Sequence, residues 1–130
     1  MRIGILGGTG PAGSALAARL ASIGYEVVIG SRSKYRAMEA RDGMVQKWPD
    51  IESMLSYGDN PQAADCDVVV IATPWDSAAT TAQENEAALE GKVVVSMANA
   101  LVRVGHEFQP RVPPRGSVAA HVQAANRRHA

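Results

Sequence analysis

The strongest constraint on this chain is the run Gly8-Thr9-Gly10-Pro11-Ala12-Gly13, which fits G-x-G-x-x-G and stands between two apolar patterns of different period. Before it, Met1 to Leu6 (MRIGIL) has the short apolar character of a buried strand. After it, Ala12, Leu16, Leu20 and Ile23 recur at steps of four, four and three, the stripe of a helix packed on a sheet. Pro11 suits the first helical turn, where its missing N–H costs nothing, and Gly24 suits the position just past the end. The expected unit is strand, glycine turn, helix. In such a unit the first glycine permits positive φ, the second lets backbone N–H groups approach a pyrophosphate, and the third lets helix and strand pack closely. Phosphates then lie at a helix N-terminus, where orphan N–H groups and the helix dipole favour anions.

Further along, Glu26 to Gly30 (EVVIG) reads as a second strand buried on both faces, and Ser31 to Arg41 opens a second helix. A third strand is expected near Glu52 to Tyr57, followed by a turn at Gly58-Asp59-Asn60-Pro61 and a short helix. Asp67 to Ala72 (DVVVIA) is the clearest strand. Thr73-Pro74-Trp75 interrupts it, and a helix from about Asp76 to Leu89 is expected to bury Trp75, Ala79, Ala82 and Leu89 near one face. Lys92 to Ser96 (KVVVS) makes a fifth strand. Pro110, Pro113 and Pro114 mark a loop region, and Ser117 reads as the N-cap of a helix through about Ala125 with Val118, Val122 and Ala125 inward. Alternating short apolar strands and helices predict an α/β fold, a Rossmann-like doubly wound parallel sheet in the order 3-2-1-4-5, ending before a sixth strand. Residues 1–130 are expected to make a single domain, given the length.

Composition narrows the partners. Thirteen basic side chains balance thirteen acidic ones, but unevenly. Ser31 to Arg41 holds Arg32, Lys34, Arg36 and Arg41 against Glu39 alone, and the stretch from Asp42 to Gly91 carries ten acids against Lys47. Aromatic residues are only 5%, too few for the stacking surface of a nucleic-acid binder, so a small anionic ligand is expected and nucleic acid is not. The longest apolar run, Val68 to Ala72, is far below the roughly 18 residues that span a bilayer, and no secretory signal is legible. A cytoplasmic address is the expectation. The lone Cys66, between Asp65 and Asp67, excludes an intramolecular disulfide and is expected to be a small buried residue with a raised pKa, a poor nucleophile. His106, His121 and His129 lack metal-ligand spacing.

The end of the second strand selects among dinucleotides. A domain for NAD usually carries Asp or Glu there to accept from the ribose 2′-OH, whereas this chain has Ser31-Arg32-Ser33. Arg32 can bond a 2′-phosphate and lie against adenine, Ser31 can donate to the same phosphate, and Arg36 adds charge; NADP(H) is the expected cofactor, against the plainer reading of a solvated basic helix start. Thr73, Pro74 and Trp75 fall at the carboxyl edge where open sheets bind ligands, and Trp75 offers a flat surface to ribose or nicotinamide, or else fills the core at a helix start. Asn99 could reach a bound ring or close a turn, and Trp48 has no assigned role. No Ser, His and acid grouping is legible, so any chemistry is expected to be carried by cofactors, with the protein supplying proximity and orientation.

The opening MRIGILGGTGPAGSALAARLASIGYEVVIGSR and the run ADCDVVVIATPW together resemble the NADPH-dependent coenzyme F420 reductases, from Met1 to about Ala125. The resemblance implies hydride transfer between the nicotinamide of NADP(H) and the deazaflavin of coenzyme F420, the latter as co-substrate. It also implies that Thr9, Gly10, Pro11 and Ala12, within the glycine motif from Gly8 to Gly13, hold the pyrophosphate, that Ser31, Arg32 and Arg36 contact the 2′-phosphate, and that Trp75 and Ala79 lie beside the nicotinamide half. Members of that family continue past the helix near Ser117 into a portion that completes the deazaflavin site and the dimer. Nucleotide binding is therefore expected of these residues, while turnover and a homodimer depend on more. Two other readings stay open: the NADP domain of a different reductase, and a stand-alone NADP-binding module without catalysis.

Overall fold

The computed structural model describes residues 1–97 and the backbone of two further strands, Leu101–Val104 and Glu107–Pro110. Strand β1 (Arg2–Leu6) leads through the glycine turn into helix α1 (Pro11–Ser22), then β2 (Glu26–Ser31) and α2 (Lys34–Lys47). A 3₁₀ segment, Pro49–Met54, precedes β3 (Leu55–Asp59), α3 (Asn60–Ala64) and β4 (Val68–Ile71). Helices α4 (Trp75–Glu84) and α5 (Glu86–Leu89) then lead to β5 (Val93–Ser96). The five strands form one sheet in the order β3-β2-β1-β4-β5, every neighbouring pair parallel, as expected for a doubly wound sheet.

Alternate strand residues feed two cores, one on each face of the sheet. Ile3, Ile5, Val27, Ile29, Leu55 and Val70 pack under α1 and α2 with Ala17, Ala37 and Met44, while Leu6, Val28, Val69 and Ile71 pack with Ala63, Ala78, Ala82 and Leu89 of α3, α4 and α5. The α1 stripe differs from the expected one. Its buried residues are Gly13, Ala17 and Ala21, with Leu16 and Leu20 half-buried, Ala12 exposed and Ile23 57% exposed. Small residues let the helix axis sit close to the sheet, and the leucines cover the flanks.

Three other boundaries move. The third strand starts at Leu55 rather than near Glu52, because Pro49 starts a 3₁₀ segment that turns Ile51 into the core. Arg41 fixes this junction by donating from Nε to the Leu55 carbonyl (2.9 Å) and from Nη2 to the Glu52 carbonyl (3.2 Å). The helix expected to run unbroken from Asp76 to Leu89 divides at Asn85, whose buried Nδ2 donates to the Thr81 carbonyl at 2.8 Å. Ala78, Ala82 and Leu89 are buried there, and Ala79 is only half-buried. The region read as loop before Pro110 contains an antiparallel pair, β6 (Leu101–Val104) with β7 (Glu107–Pro110), whose β-branched residues carried a strand signal overshadowed by the prolines that follow. The expected helix from Ser117, with Asn99, Pro113, Pro114 and the three histidines, lies outside the described residues. Among the described residues no helix is long and apolar enough to cross a membrane.

Candidate functional site

In the order β3-β2-β1-β4-β5 the strand order reverses between β1 and β4, which leaves a crevice above their carboxyl ends. The glycine turn rises there. Gly7, not Gly8, takes the left-handed conformation (φ 69°), and the Gly8 N–H donates to the Gly30 carbonyl at 2.9 Å, which ties the turn to β2. Gly8 and Gly13 are packing glycines: a Cβ on Gly13 would stand 2.9 Å from the Gly8 Cα and 3.1 Å from the Ala72 Cβ. Gly10, the N-cap of α1, would meet nothing within 4 Å, so its backbone faces open space. Ser14 donates from Oγ to the Gly8 carbonyl (3.0 Å). Pro11 begins the helix, and Thr9, Pro11 and Ala12 are exposed at the same edge.

A cavity of about 230 Å³ beside the turn is lined by Gly7, Ser31, Arg32, Arg36, Asn60, Thr73, Pro74, Ser77 and Thr81. It thus joins the β2 end, the β4 end and the glycine turn, as the sequence led one to expect for Ser31, Arg32, Arg36, Thr73 and Pro74. Ser31 is buried and its Oγ accepts from the Ser33 N–H (3.2 Å), which leaves the hydroxyl proton available to a ligand. The Ser33 Oγ in turn accepts from the Arg36 N–H (3.3 Å) as N-cap of α2, so the two serines set the path on which Arg32 and Arg36 are mounted. Of the four cations in this segment, Arg41 is committed to the α2–β3 junction. The Thr73 Oγ1 is buried and has no hydrogen-bond partner among the described residues, an unmet polar group at the cavity wall.

Besides Gly7, three cavity residues had not been singled out. Asn60 is 6% exposed, and its Oδ1 accepts from the Gly7 N–H at 3.3 Å, which supports the left-handed turn from across the sheet. The signal was available: in a 3-2-1 order the end of β3 must lie beside that of β2, and the pairing Ser31↔Asp59 puts Asn60 one residue further. Ser77 and Thr81 form the α4 wall, one turn apart. Ala79 does not line this cavity; Trp75 begins α4, and its side chain lies outside what the structure describes.

Cys66 is buried at 2% exposure and its thiol pKa is raised, first by burial, with Asp65 and Asp67 adding to the shift against Arg2 and Lys92. The negative neighbours are thus a secondary cause. Among the described residues no three His, Cys, Asp or Glu side chains are grouped to hold a metal ion.

A doubly wound parallel sheet whose first strand runs through a glycine turn into a helix at the switch point defines a class, the dinucleotide-binding α/β domain of oxidoreductases. The family model described as NADP oxidoreductase, coenzyme F420-dependent, matches residues 2–100, and the chain belongs to that family. It is 38% identical over 128 residues to the F420-dependent NADP reductase of Methanocaldococcus jannaschii, covering 95% of this chain and 57% of that protein. Against the enzyme of the same name from Methanothermobacter marburgensis it is 33% identical over 96 residues, covering 73% of this chain and 43% of that one. The crystal structure of a candidate F420-dependent NADP-reductase from Arthrobacter sp. FB24 superposes with a TM-score of 0.77 at 27% identity, over 99% of this chain and 59% of that one. The matches therefore span between 43% and 59% of the length of these relatives.

Proposed function

We propose that this chain binds NADP(H) at the carboxyl edge of its sheet and serves hydride transfer between NADP(H) and coenzyme F420. The observation that carries the reading is the cavity itself: Ser31, Arg32 and Arg36, at a strand end that bears no carboxylate, line it together with Gly7, the residue that opens the glycine turn. The residues present fit the nucleotide. Gly10 leaves open the space that a side chain would take beside the start of α1, and Thr73 has a buried hydroxyl without a hydrogen-bond partner among the described residues. Gly8 to Gly13 form the pyrophosphate cradle, with Thr9 and the N-terminal N–H groups of α1 around Pro11 and Ala12. Arg32 offers a planar fork to the 2′-phosphate, and Ser31 and Arg36 complete that contact. Pro74, Trp75 and Ala79 are assigned to the nicotinamide half. When bound, the nicotinamide supplies or accepts the hydride. The chain's own work is to fix that ring's position and to keep the phosphates neutralised, which accords with the lack of a legible acid-base constellation. A homodimer is part of the same proposal, on the strength of the family resemblance, and would draw on the further length that the relatives carry.

Titration calorimetry of the chain with NADPH and NADH tests the binding half. Arg32→Ala is expected to weaken NADPH by about ten- to a hundred-fold, the worth of a charge-assisted hydrogen bond, and to leave NADH unchanged. Equal affinities for the two dinucleotides before mutation would remove the 2′-phosphate assignment. Anaerobic mixing with oxidised coenzyme F420 and NADPH, followed by deazaflavin absorbance, tests the transfer: absorbance is expected to fall with NADPH and to persist with NADH.

A further inference from the structure

The nucleotide cavity continues into a second one of about 300 Å³ that shares Ser31, Arg32 and Asn60 and adds Asp59, Pro61, Glu84 and Asn85. Helix α4 borders the pair with Ser77, Thr81 and Glu84, spaced i, i+4 and i+7 on one helical face. Of the two carboxylates there, Asp59 is occupied: its Oδ1 caps α3 by accepting from the Gln62 N–H at 2.8 Å. Glu84 is different. Its Oε1 lies 3.7 Å from the Arg32 Nη2, an ion pair between side chains 51% and 69% exposed. Glu84 also occupies the last turn of α4, where a negative charge opposes the helix dipole, so the local helix gives no reason for an acid at this position. Its evident partner is the guanidinium that faces the nucleotide.

We propose that Glu84 sets how strongly the site prefers a 2′-phosphorylated dinucleotide. It holds the Arg32 guanidinium in an ion pair that an incoming phosphate dianion has to displace, and its own charge opposes that dianion. This rests on the assignment of Arg32 to the 2′-phosphate. Because the pair is exposed, it is weak enough to yield to a doubly charged ligand and strong enough to lower the affinity for it. NADPH and NADP+ are held less tightly than Ser31, Arg32 and Arg36 alone would hold them, and NADH, which makes no claim on Arg32, is indifferent to Glu84.

The test compares wild type with Glu84→Gln, a nearly isosteric change at an exposed position, by calorimetric titration with NADPH and NADH at low and high salt. Glu84→Gln is expected to bind NADPH about three- to five-fold more tightly at low salt, the range of an exposed ion pair. NADH affinity and thermal stability are expected to stay at wild-type values, and the gain for NADPH to collapse at high salt through screening. Unchanged or weaker NADPH binding by Glu84→Gln, in a protein whose wild type prefers NADPH, overturns the role of Glu84 alone. Equal tightening of NADPH and NADH overturns it too. A wild type without preference for NADPH overturns the Arg32 assignment, and this inference with it.

Discussion

A methyl group added at Gly13 and one added at Gly10 ask opposite questions of the same turn. At Gly13 the new Cβ would stand 2.9 Å from the Gly8 Cα, a backbone atom that cannot move aside, so Gly13→Ala is expected to cost about 1–3 kcal/mol, read as a lowered melting temperature. At Gly10 nothing lies within 4 Å and φ is −75°, so Gly10→Ala is expected to keep the stability within about 1 kcal/mol while weakening NADPH in titration. Loss of stability at Gly10, or loss of affinity alone at Gly13, would reverse the roles assigned to the two glycines. The spacing of the glycines was legible in the sequence, and so was the absence of a carboxylate after β2. Which glycine takes positive φ was not, because G-x-G fixes spacing and not dihedral angles; Gly7 lies just outside the motif. Asn60 escaped notice for a related reason. As a residue in a turn it looked like punctuation, and only the sheet order brings its amide to the Gly7 N–H.

Among the elements, α3 is a single short helix, five residues long, with little room above the sheet. It lies over Gly4 of β1 and Gly30 of β2, and a Cβ on Gly4 would run into the Ala63 carbonyl, while one on Gly30 would meet the Ala63 Cβ at 2.6 Å. Gly4→Ala must therefore lift α3 off the sheet. The expected cost is about 3 kcal/mol or more, above that of Gly13→Ala, measurable by denaturant unfolding. At the opposite edge of the sheet, the Asp67 Oδ2 accepts from the Arg2 N–H at 2.8 Å and so joins the starts of β4 and β1. That hydrogen bond, opposed by desolvation and helped by the N-terminus, Lys92 and Arg2, holds the Asp67 carboxyl below its ordinary value. A depressed folded-state pKa means that the stabilisation is complete above the unfolded pKa and is lost as pH falls through the folded one. Asp67→Asn is accordingly expected to flatten the acid limb of the stability–pH curve and to leave its neutral limb parallel to wild type; an unaltered acid limb would refute the link. Strand positions were legible because each is a continuous apolar run. The α4–α5 break was not, since Asn85 acts through a side-chain bond to the Thr81 carbonyl that no periodicity reveals. The α1 stripe was misplaced because large residues draw attention to themselves, whereas a close-packed helix buries its small ones.

For the molecule as a whole, the two faces of the sheet are unequally covered at its β5 edge. Val93 and Val95 are 62% and 46% exposed, while Val94, between them, packs against the core beneath α4 and α5. The architecture was the most legible level of all, because alternating strand and helix with a glycine turn after the first strand leaves few topologies standing. What the sequence could not convey was distance along the chain. Strand β1 is central, yet of its two neighbours β2 pairs Ile3 with Val27 while β4 pairs Ile3 with Val68. During synthesis, then, β1 leaves the ribosome well before the strand that encloses its second edge. Until residue 71 has emerged, β1 keeps an open edge of unpaired amides and carbonyls beside a turn held from the β2 side by Gly30 and Asn60 and not yet flanked by β4. A growing chain of this design carries its glycine turn half-framed until Val68–Ile71 arrives, which covers the bare side of β1 and flanks the turn at one stroke, with β5 left to be laid on the outside.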